Sequence, residues 1–214
     1  MSRDAILGRI RTALADVPRS TPEADVEIAW RYGRPTEMPD VVGRFAERVE
    51  DYRAVVERCP AAQVPSRVAS ALAAHRTQTV VLPDGLDPAW RAAVEEAGLR
   101  TVRDDGLPST TLDAVDAVVT GCVVGVAETG TIMLDHGPDQ GRRALSLVPD
   151  VHVCVVRTDQ VVSDVPEAMA RLAPSLRAGR PATWISGPSA TSDIELSRVE
   201  GVHGPRTLHV IIAE

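Results

Sequence analysis

Short runs rich in valine and isoleucine, separated by segments with helical periodicity, restrict the fold of this chain more than any other feature. The runs occupy residues 79–82, 99–102, 117–120, 131–134, 152–156, 183–186 and 208–212. They lack polar alternation, which indicates strands that helices cover on both faces, as in a largely parallel sheet. The sequence therefore predicts an α/β fold with a central, largely parallel sheet flanked by helices.

Helices are predicted between these strands by apolar residues at helical spacing and by signals at the helix ends. Residues 65–75, 88–97 and 164–176 show this pattern, and Gly98 ends the second of these helices. The alternation of helices and strands supports the same fold class.

The N-terminal region shows a different pattern. Ser2 can cap a first helix, which carries an apolar stripe and is expected to dock on the body of the protein. The stripe consists of Ile6, Ile10 and Leu14. Prolines interrupt residues 16–38, which are expected to form an extended arm.

A second helix is predicted to begin at Pro39, because proline suits the first turn of a helix. One face of this helix would carry Val42, Phe45, Val49, Tyr52 and Val56. The predicted division is therefore an N-terminal region of helices and arm at 1–60 and an α/β domain at 61–214.

Charge and hydropathy exclude several functional classes. The formal net charge of −7 argues against general affinity for nucleic acid, whose phosphates require a basic surface. The N-terminus has no apolar signal core, and no apolar run approaches the ~20 residues of a membrane span. We therefore expect a cytoplasmic protein with no nucleic-acid partner and no membrane span.

The cysteines give no indication of a metal centre. Cys59, Cys122 and Cys154 are widely spaced and flanked by apolar residues, without the close pairs that bind zinc or iron–sulfur clusters. We interpret them as reduced core residues and predict neither a metal nor a cofactor in this chain.

The first candidate site is a turn before the run at 131–134. It contains a carboxylate, two hydroxyls and a glycine, contributed by Glu128, Thr129, Gly130 and Thr131. The carboxylate could act as base, nucleophile or hydrogen-bond acceptor, and the glycine lets the backbone approach a ligand. The alternative is a tight turn whose threonines bond to their own backbone.

The second candidate site follows the run at 183–186. Its hydroxyls, glycine and acid could form an anion cradle or a polar ligand pocket. The residues concerned are Ser186, Gly187, Ser189, Thr191 and Asp193. Alternatively, Asp193 caps a short helix and the hydroxyls stabilise a turn.

The third candidate site precedes the last strand, where His203 is followed by Gly204. The imidazole could act as acid, base or ligand donor. An ordinary turn histidine is the alternative, because no second histidine or cysteine lies at metal-ligand spacing.

Open α/β sheets bind ligands beyond the carboxyl ends of their strands, so we expect the three turns to converge on one pocket at that edge. Backbone amides and the hydroxyls of Ser189 and Thr191 would hold a small carboxylate or phosphate. Glu128, Asp193 and His203 would move protons or orient the ligand.

Two arginines form a further group of candidates. Arg142 and Arg143 close the loop at 135–141 and could meet a ligand carboxylate through paired hydrogen bonds. Solvated surface arginines are the alternative.

Four segments match a known pattern in order and spacing. They are 127–131, Leu147-Val148-Pro149 with the strand at 152–156, 186–195, and Gly201-Val202-His203-Gly204-Pro205. As a set they resemble the lactate utilisation (LUD) domain family, most closely its C-type subunit. The likeness is specific from about Ala114 to Ile212. Ala190 and Ser192 stand where the family pattern has arginine and alanine.

The resemblance implies a fold similar to that of the sugar-phosphate isomerase and coenzyme A transferase superfamily. It also implies membership of a three-component system that converts L-lactate to pyruvate. In that system the A- and B-type partner subunits carry the iron–sulfur clusters. This chain would lack redox centres and would bind a small anionic ligand.

Two other classes of function remain open. A stand-alone acyl- or coenzyme A-transferase-like enzyme would use Glu128 as a covalent nucleophile. A non-catalytic scaffold subunit would bind no ligand in the glycine-containing turns.

Overall fold

The computed structural model of the chain describes residues 2–16, 34–188 and 204–214. The chain divides into two compact units, Met1–Arg34 and Pro35–Glu214. In the first unit, helix α1 (Arg3–Ala13) begins as predicted, because the Ser2 hydroxyl accepts a hydrogen bond from the Ala5 amide at 3.4 Å. The arm expected at 16–38 lies largely outside the described residues.

The described part of the second unit alternates helices and strands. The helices are α2 (Val41–Asp51), α3 (Val64–Ala74), α4 (Pro88–Glu96), α5 (Ser109–Leu112) and α6 (Val165–Arg177). The strands are β1 (Val55–Cys59), β2 (Thr79–Val81), β3 (Arg100–Val102), β4 (Ala117–Thr120), β5 (Val124–Val126), β6 (Thr131–Leu134), β7 (Val151–Arg157), β8 (Val161–Val162), β9 (Thr183–Ile185) and β10 (Thr207–Ala213). All seven predicted strands and the three helices predicted between them are confirmed within one or two residues.

A parallel sheet of six strands forms the centre of this unit, in the order β1-β10-β7-β4-β2-β3. One face packs against α3 and α4 through Leu72 and Val94, and the other packs against α2 through Phe45 and Val49. The predicted α/β class, with a parallel sheet flanked by helices, is therefore confirmed.

A second sheet of four strands, in the order β8-β5-β6-β9, was not expected. Strand β6 pairs antiparallel with β5 and β9, whereas β5 and β8 are parallel. Ile132 and Leu134 face the central sheet, and Met133 packs towards Leu172 of α6. The runs at 131–134 and 183–186 are thus strands of this second sheet and do not belong to the central one.

The second predicted helix ends earlier than its periodicity indicated. Helix α2 stops at Asp51, a left-handed residue at Arg53 (φ +65°) redirects the chain, and Val56 lies in β1. Both elements belong to the compact unit that begins at Pro35. The domain boundary expected at residue 60 therefore differs from the structure, because β1 is hydrogen-bonded into the central sheet.

The cysteines have the environment that their flanking residues predicted. Cys59, Cys122 and Cys154 are buried and free. In the described part of the chain, no three His, Cys, Asp or Glu side chains are placed to hold a metal ion. No helix there is long and apolar enough to cross a membrane.

Candidate functional site

The turn between β5 and β6 carries the carboxylate of Glu128. The Ala127 and Glu128 amides donate hydrogen bonds to the carbonyls of Val162 and Ser163 at 2.9 and 3.0 Å, which fixes the turn to the end of β8. Gly130 has a φ of +60°, a left-handed conformation that favours glycine. The side chain of Glu128 is left exposed.

A row of hydroxyl groups joins this turn to the second candidate segment. The Thr131 hydroxyl lies 2.8 Å from that of Thr129 and 2.8 Å from that of Ser186. The antiparallel register of β6 and β9 places Thr131 opposite Ser186, since Ile132 pairs with Ile185. Thr131 therefore bonds both to Thr129 and to Ser186, and the first two predicted site segments are adjacent.

Gly130 and Gly187 allow the first and second candidate segments to pack closely against the C-terminal end of α2. A Cβ added to Gly130 would lie 2.7 Å from the backbone carbonyl carbon of Arg48. One added to Gly187, whose φ is +86°, would lie 2.7 Å from the Cβ of Tyr52. Only residues without a Cβ allow this approach, so α2 forms a wall of the site.

An open cavity of about 360 Å³ lies where the turn meets the helix. It is lined by Arg48, Asp51, Tyr52, Glu128 and Thr129. Its volume is within the ~300–1,000 Å³ that is usual for ligand pockets. This cavity is the candidate functional site, and two of the predicted site residues line it.

The charges around the cavity come mainly from α2. Arg48 Nη1 lies 3.2 Å from Asp51 Oδ2, in a pair whose side chains are 35% and 57% exposed. One turn earlier, Arg44 pairs with Glu47 at 2.7 Å. That hydrogen bond, with weaker contributions from Glu128 and Asp51, raises the pKa of Arg44.

The cavity and the first two predicted segments adjoin the ends of different strands. Tyr52 precedes the first residue of β1 by three positions, so the cavity adjoins the amino end of that strand. The two segments themselves follow the carboxyl ends of β5 and β9 in the second sheet, and the hairpin carries the turn of Glu128 to α2. The expectation of one pocket at the carboxyl edge of the sheet remains a prediction.

Four of the remaining predicted site residues lie outside the described part of the chain. They are Ser189, Thr191, Asp193 and His203. Gly204 precedes β10 by three positions, and an added Cβ there would have no atom within 4 Å. The convergence of the third segment on the cavity remains a prediction.

At the carboxyl edge, a loop of the chain itself fills the position of a ligand. The order of the sheet reverses between β2 and β4, and ligands of α/β proteins bind at such reversals. Here Gly85 donates a hydrogen bond to the Pro138 carbonyl at 3.0 Å, and Gly121 donates one to the Asp139 carbonyl at 3.1 Å. A Cβ at either glycine would lie within 2.4 Å of the loop.

A buried carboxylate holds this loop in place. Asp135 accepts hydrogen bonds from the Gly137 amide at 3.0 Å and from the Ser175 hydroxyl. Its other partner is Arg180, at 2.8 Å. The loop at 135–141 is therefore a fixed part of the fold.

The arginine that closes the loop already has a partner. Arg142 Nε and Nη2 lie 2.6 and 2.8 Å from the two carboxylate oxygens of Asp104, beside a cleft of about 270 Å³. This paired contact lowers the pKa of Asp104. Arg142 is thus engaged within the protein, and Arg143 is exposed.

Sequence reasoning missed Arg48 and Asp51 as site residues, and it placed Tyr52 only on the apolar face of a helix. Helical periodicity reports which face of α2 is buried. It carries no signal that a turn some 80 residues later, at Glu128, will pack against the end of that helix.

The fold and site define an α/β protein in which two packed sheets present a polar hairpin turn to a helix end. The sequence profile of the LUD domain matches residues 109–213. A relative from Deinococcus radiodurans named Lactate utilization protein C is 50% identical over 179 residues, covering 83% of this chain and 82% of the relative. The chain belongs to the LUD domain family.

Further relatives agree with this assignment. One from Geobacillus thermodenitrificans, also named Lactate utilization protein C, is 24% identical over 239 aligned residues, covering 100% of this chain and 97% of the relative. The crystal structure of a DUF162 family protein from Deinococcus radiodurans matches with a TM-score of 0.72 and 43% identity. That match covers 84% of this chain and 100% of the solved one.

Proposed function

We propose that this protein is the C-type component of a lactate-utilisation system and supports the oxidation of L-lactate to pyruvate. The observation that carries the proposal is the 50% identity, over more than four fifths of both chains, to the relative named Lactate utilization protein C. Its role in the system would be exercised at the cavity beside Glu128.

The proposed component has no redox centre of its own. Iron–sulfur clusters are commonly held by four thiolates, and this chain has 3 cysteines in all, each buried. The electrons of lactate oxidation would pass to A- and B-type iron–sulfur subunits. A purified chain with no visible absorbance supports this division, whereas a stoichiometric flavin or cluster spectrum contradicts it.

The cavity would bind a small anionic ligand, with Glu128 accepting a hydrogen bond or a proton from it. Glu128 is exposed on the wall of the cavity, and its turn is held by backbone hydrogen bonds to the end of β8 and by the hydroxyl contacts of Thr131. Asp193 and His203 are proposed to contribute to the same reaction.

Gene deletion tests the function directly. Loss of the gene should impair growth on L-lactate and leave growth on pyruvate normal, because the proposed block precedes pyruvate. Complementation with Glu128→Gln should fail, as should Asp193→Asn and His203→Ala. Glu47→Gln is the matched control, since Glu47 is an exposed acid of α2 outside the cavity lining. Normal lactate growth of the deletion strain removes the assignment.

A second candidate function follows from the exposure of Glu128. If the protein is a stand-alone acyl transferase, the Glu128 carboxylate would attack the carbonyl carbon of an acyl thioester, form an acyl-glutamyl anhydride and release the thiolate. Incubation with acetyl coenzyme A would then add one acetyl group to the intact mass, and Glu128→Gln would abolish the addition. An unchanged mass argues against this candidate. A ligand screen with no binding would favour the scaffold alternative.

A further inference from the structure

The cavity beside Glu128 contains cationic and anionic groups on opposing elements. Its lining combines Arg48 and Asp51 from α2 with Glu128 and Thr129 from the hairpin turn. The charged residues of the lining are one cation, Arg48, and two carboxylates, Asp51 and Glu128. A ligand that carries only negative charge would therefore meet net repulsion, unless it also offered a donor to a carboxylate.

Arg48 is only partly satisfied by the protein. Its contact with Asp51 is 3.2 Å long, beyond the ~2.7–2.9 Å of strong charge-assisted hydrogen bonds. Its Nε has no hydrogen-bond partner among the described residues but is buried, so a ligand in the cavity would have to bond to the Nη atoms. An ion pair with side chains 35% and 57% exposed contributes little to stability. A ligand carboxylate can therefore replace Asp51 at Arg48 at low cost.

Glu128 lies on the opposing wall and selects the second group of the ligand. An ionised carboxylate only accepts hydrogen bonds, so it favours a hydroxyl and repels a carbonyl oxygen. Thr129, which also lines the cavity, is held by the Thr131 hydroxyl at 2.8 Å and can donate or accept.

We propose that this cavity binds a short 2-hydroxycarboxylate, with the ligand carboxylate on Arg48 and its hydroxyl donating to Glu128. This inference rests on the proposed function, and it names the ligand class of the site. Lactate would be held as the substrate form, and pyruvate would be disfavoured because its 2-oxo group cannot donate to Glu128. The site thus discriminates between the substrate, lactate, and the product, pyruvate.

Binding to the purified full chain tests the proposal, with L-lactate, pyruvate, propionate and L-lactamide as probes in calorimetry or ligand-observed NMR. L-Lactate should bind more tightly than the other three, because each of them lacks either the hydroxyl or the charge. Equal binding of pyruvate or propionate overturns the proposal, as does the absence of lactate binding at ~50 mM, a generous limit for a small ligand.

Substitutions on α2 give effects of opposite sign. Arg48→Gln should weaken lactate binding about tenfold or more, and Arg48→Lys should weaken it less. Asp51→Asn should strengthen binding, because it removes the competing carboxylate. Arg206→Gln is the control: it removes an exposed arginine that pairs with Asp150, outside the cavity lining, and should leave binding within about twofold.

Glu128→Gln provides a separate test of the hydroxyl contact. A glutamine amide can donate to a carbonyl oxygen, so the preference for lactate over pyruvate should narrow or invert in this variant. An unchanged preference contradicts the proposed orientation. The melting temperature of each variant should be measured to confirm that it folds. If Arg48→Gln binds lactate as tightly as the wild type, the proposed role of Arg48 is wrong.

The two proposals fail differently. If the deletion strain grows normally on lactate, the proposed function is wrong whatever the cavity binds. If deletion impairs that growth while Arg48→Gln binds lactate as wild type and restores growth, the function stands and only this ligand assignment is wrong.

Discussion

His75 and His209 are in direct contact, with Nε2 of His75 lying 3.0 Å from Nδ1 of His209. The other side of His209 faces Glu57, whose Oε1 is 3.1 Å from Nε2 at an angle that leaves Nε2 without a described hydrogen-bond partner. Arg67 lies 3.9 Å from the same carboxylate. The contact joins the end of α3 to the centre of β10.

This contact predicts a loss of stability in mild acid. Burial lowers the pKa of His209, His75 adds to the decrease, and Glu57 opposes it. Because the pKa is lower in the folded state, the unfolded chain takes up the proton first as the pH falls below about 6.5. The free energy of unfolding should therefore decrease between pH ~7.5 and ~5.5. Urea titrations should show a smaller decrease in His209→Gln; equal slopes would contradict the prediction.

Thr131 is expected to be the central member of the hydroxyl row. Thr131→Val removes the group shared by Thr129 and Ser186 and should lower the free energy of unfolding by about 1 kcal/mol, because both neighbours lose a partner. Thr131→Ser keeps the hydroxyl and serves as the control in chemical denaturation. The prediction fails if the valine variant is as stable as the serine variant.

Gly130 is expected to be required by packing as well as by backbone conformation. Gly130→Ala combines a left-handed φ with a methyl group 2.7 Å from the Arg48 backbone. Gly98→Ala has a similar φ of +78° but nothing within 4 Å, so it isolates the conformational cost of about 1 kcal/mol. Gly130→Ala should cost about 2 kcal/mol more than Gly98→Ala in chemical denaturation. Equal costs would mean that the turn moves away from α2 freely.

Asp135 is expected to contribute far more to stability than an exposed acid with the same kind of partner. Asp135→Asn weakens the buried hydrogen bond from Ser175 and the ion pair with Arg180 and should cost about 2 kcal/mol. Asp150 pairs with Arg206, but their side chains are 52% and 60% exposed. Asp150→Asn should therefore cost less than about 1 kcal/mol. Similar costs would show that the loop at 135–141 is not held by its buried carboxylate.

The sequence by itself determined the elements whose residues are buried in a regular pattern. The apolar runs that became β4, β7 and β10 are almost wholly buried, and Asp87 and Asp164 cap the helices α4 and α6. Such signals are local, because burial on both faces and helix capping each act within a few residues. The fold class could be predicted from them, whereas Glu128 was singled out by the composition of its turn, and its role remains a prediction.

Elements with weak local signals could not be predicted. Strand β1 lies at the edge of the sheet and contains Glu57 and Arg58, so it lacks an apolar run. Strands β5 and β8 have only three and two residues, and Gly125 in β5 makes room for the Phe45 ring. These strands exist because their neighbours complete their hydrogen bonds, which a local window of sequence does not show.

Only the tertiary structure decided which groups share the candidate site. The sequence placed Glu128 and Thr129 in one turn and Ser186 in another and predicted that the two would converge. Only the pairing of β6 with β9 fixes Thr131 beside Ser186. Arg48 and Tyr52 joined them because two glycines allow the backbone to touch α2. Strand order and close packing are set by contacts between distant parts of the chain, whereas sequence periodicity reports only the burial of each part.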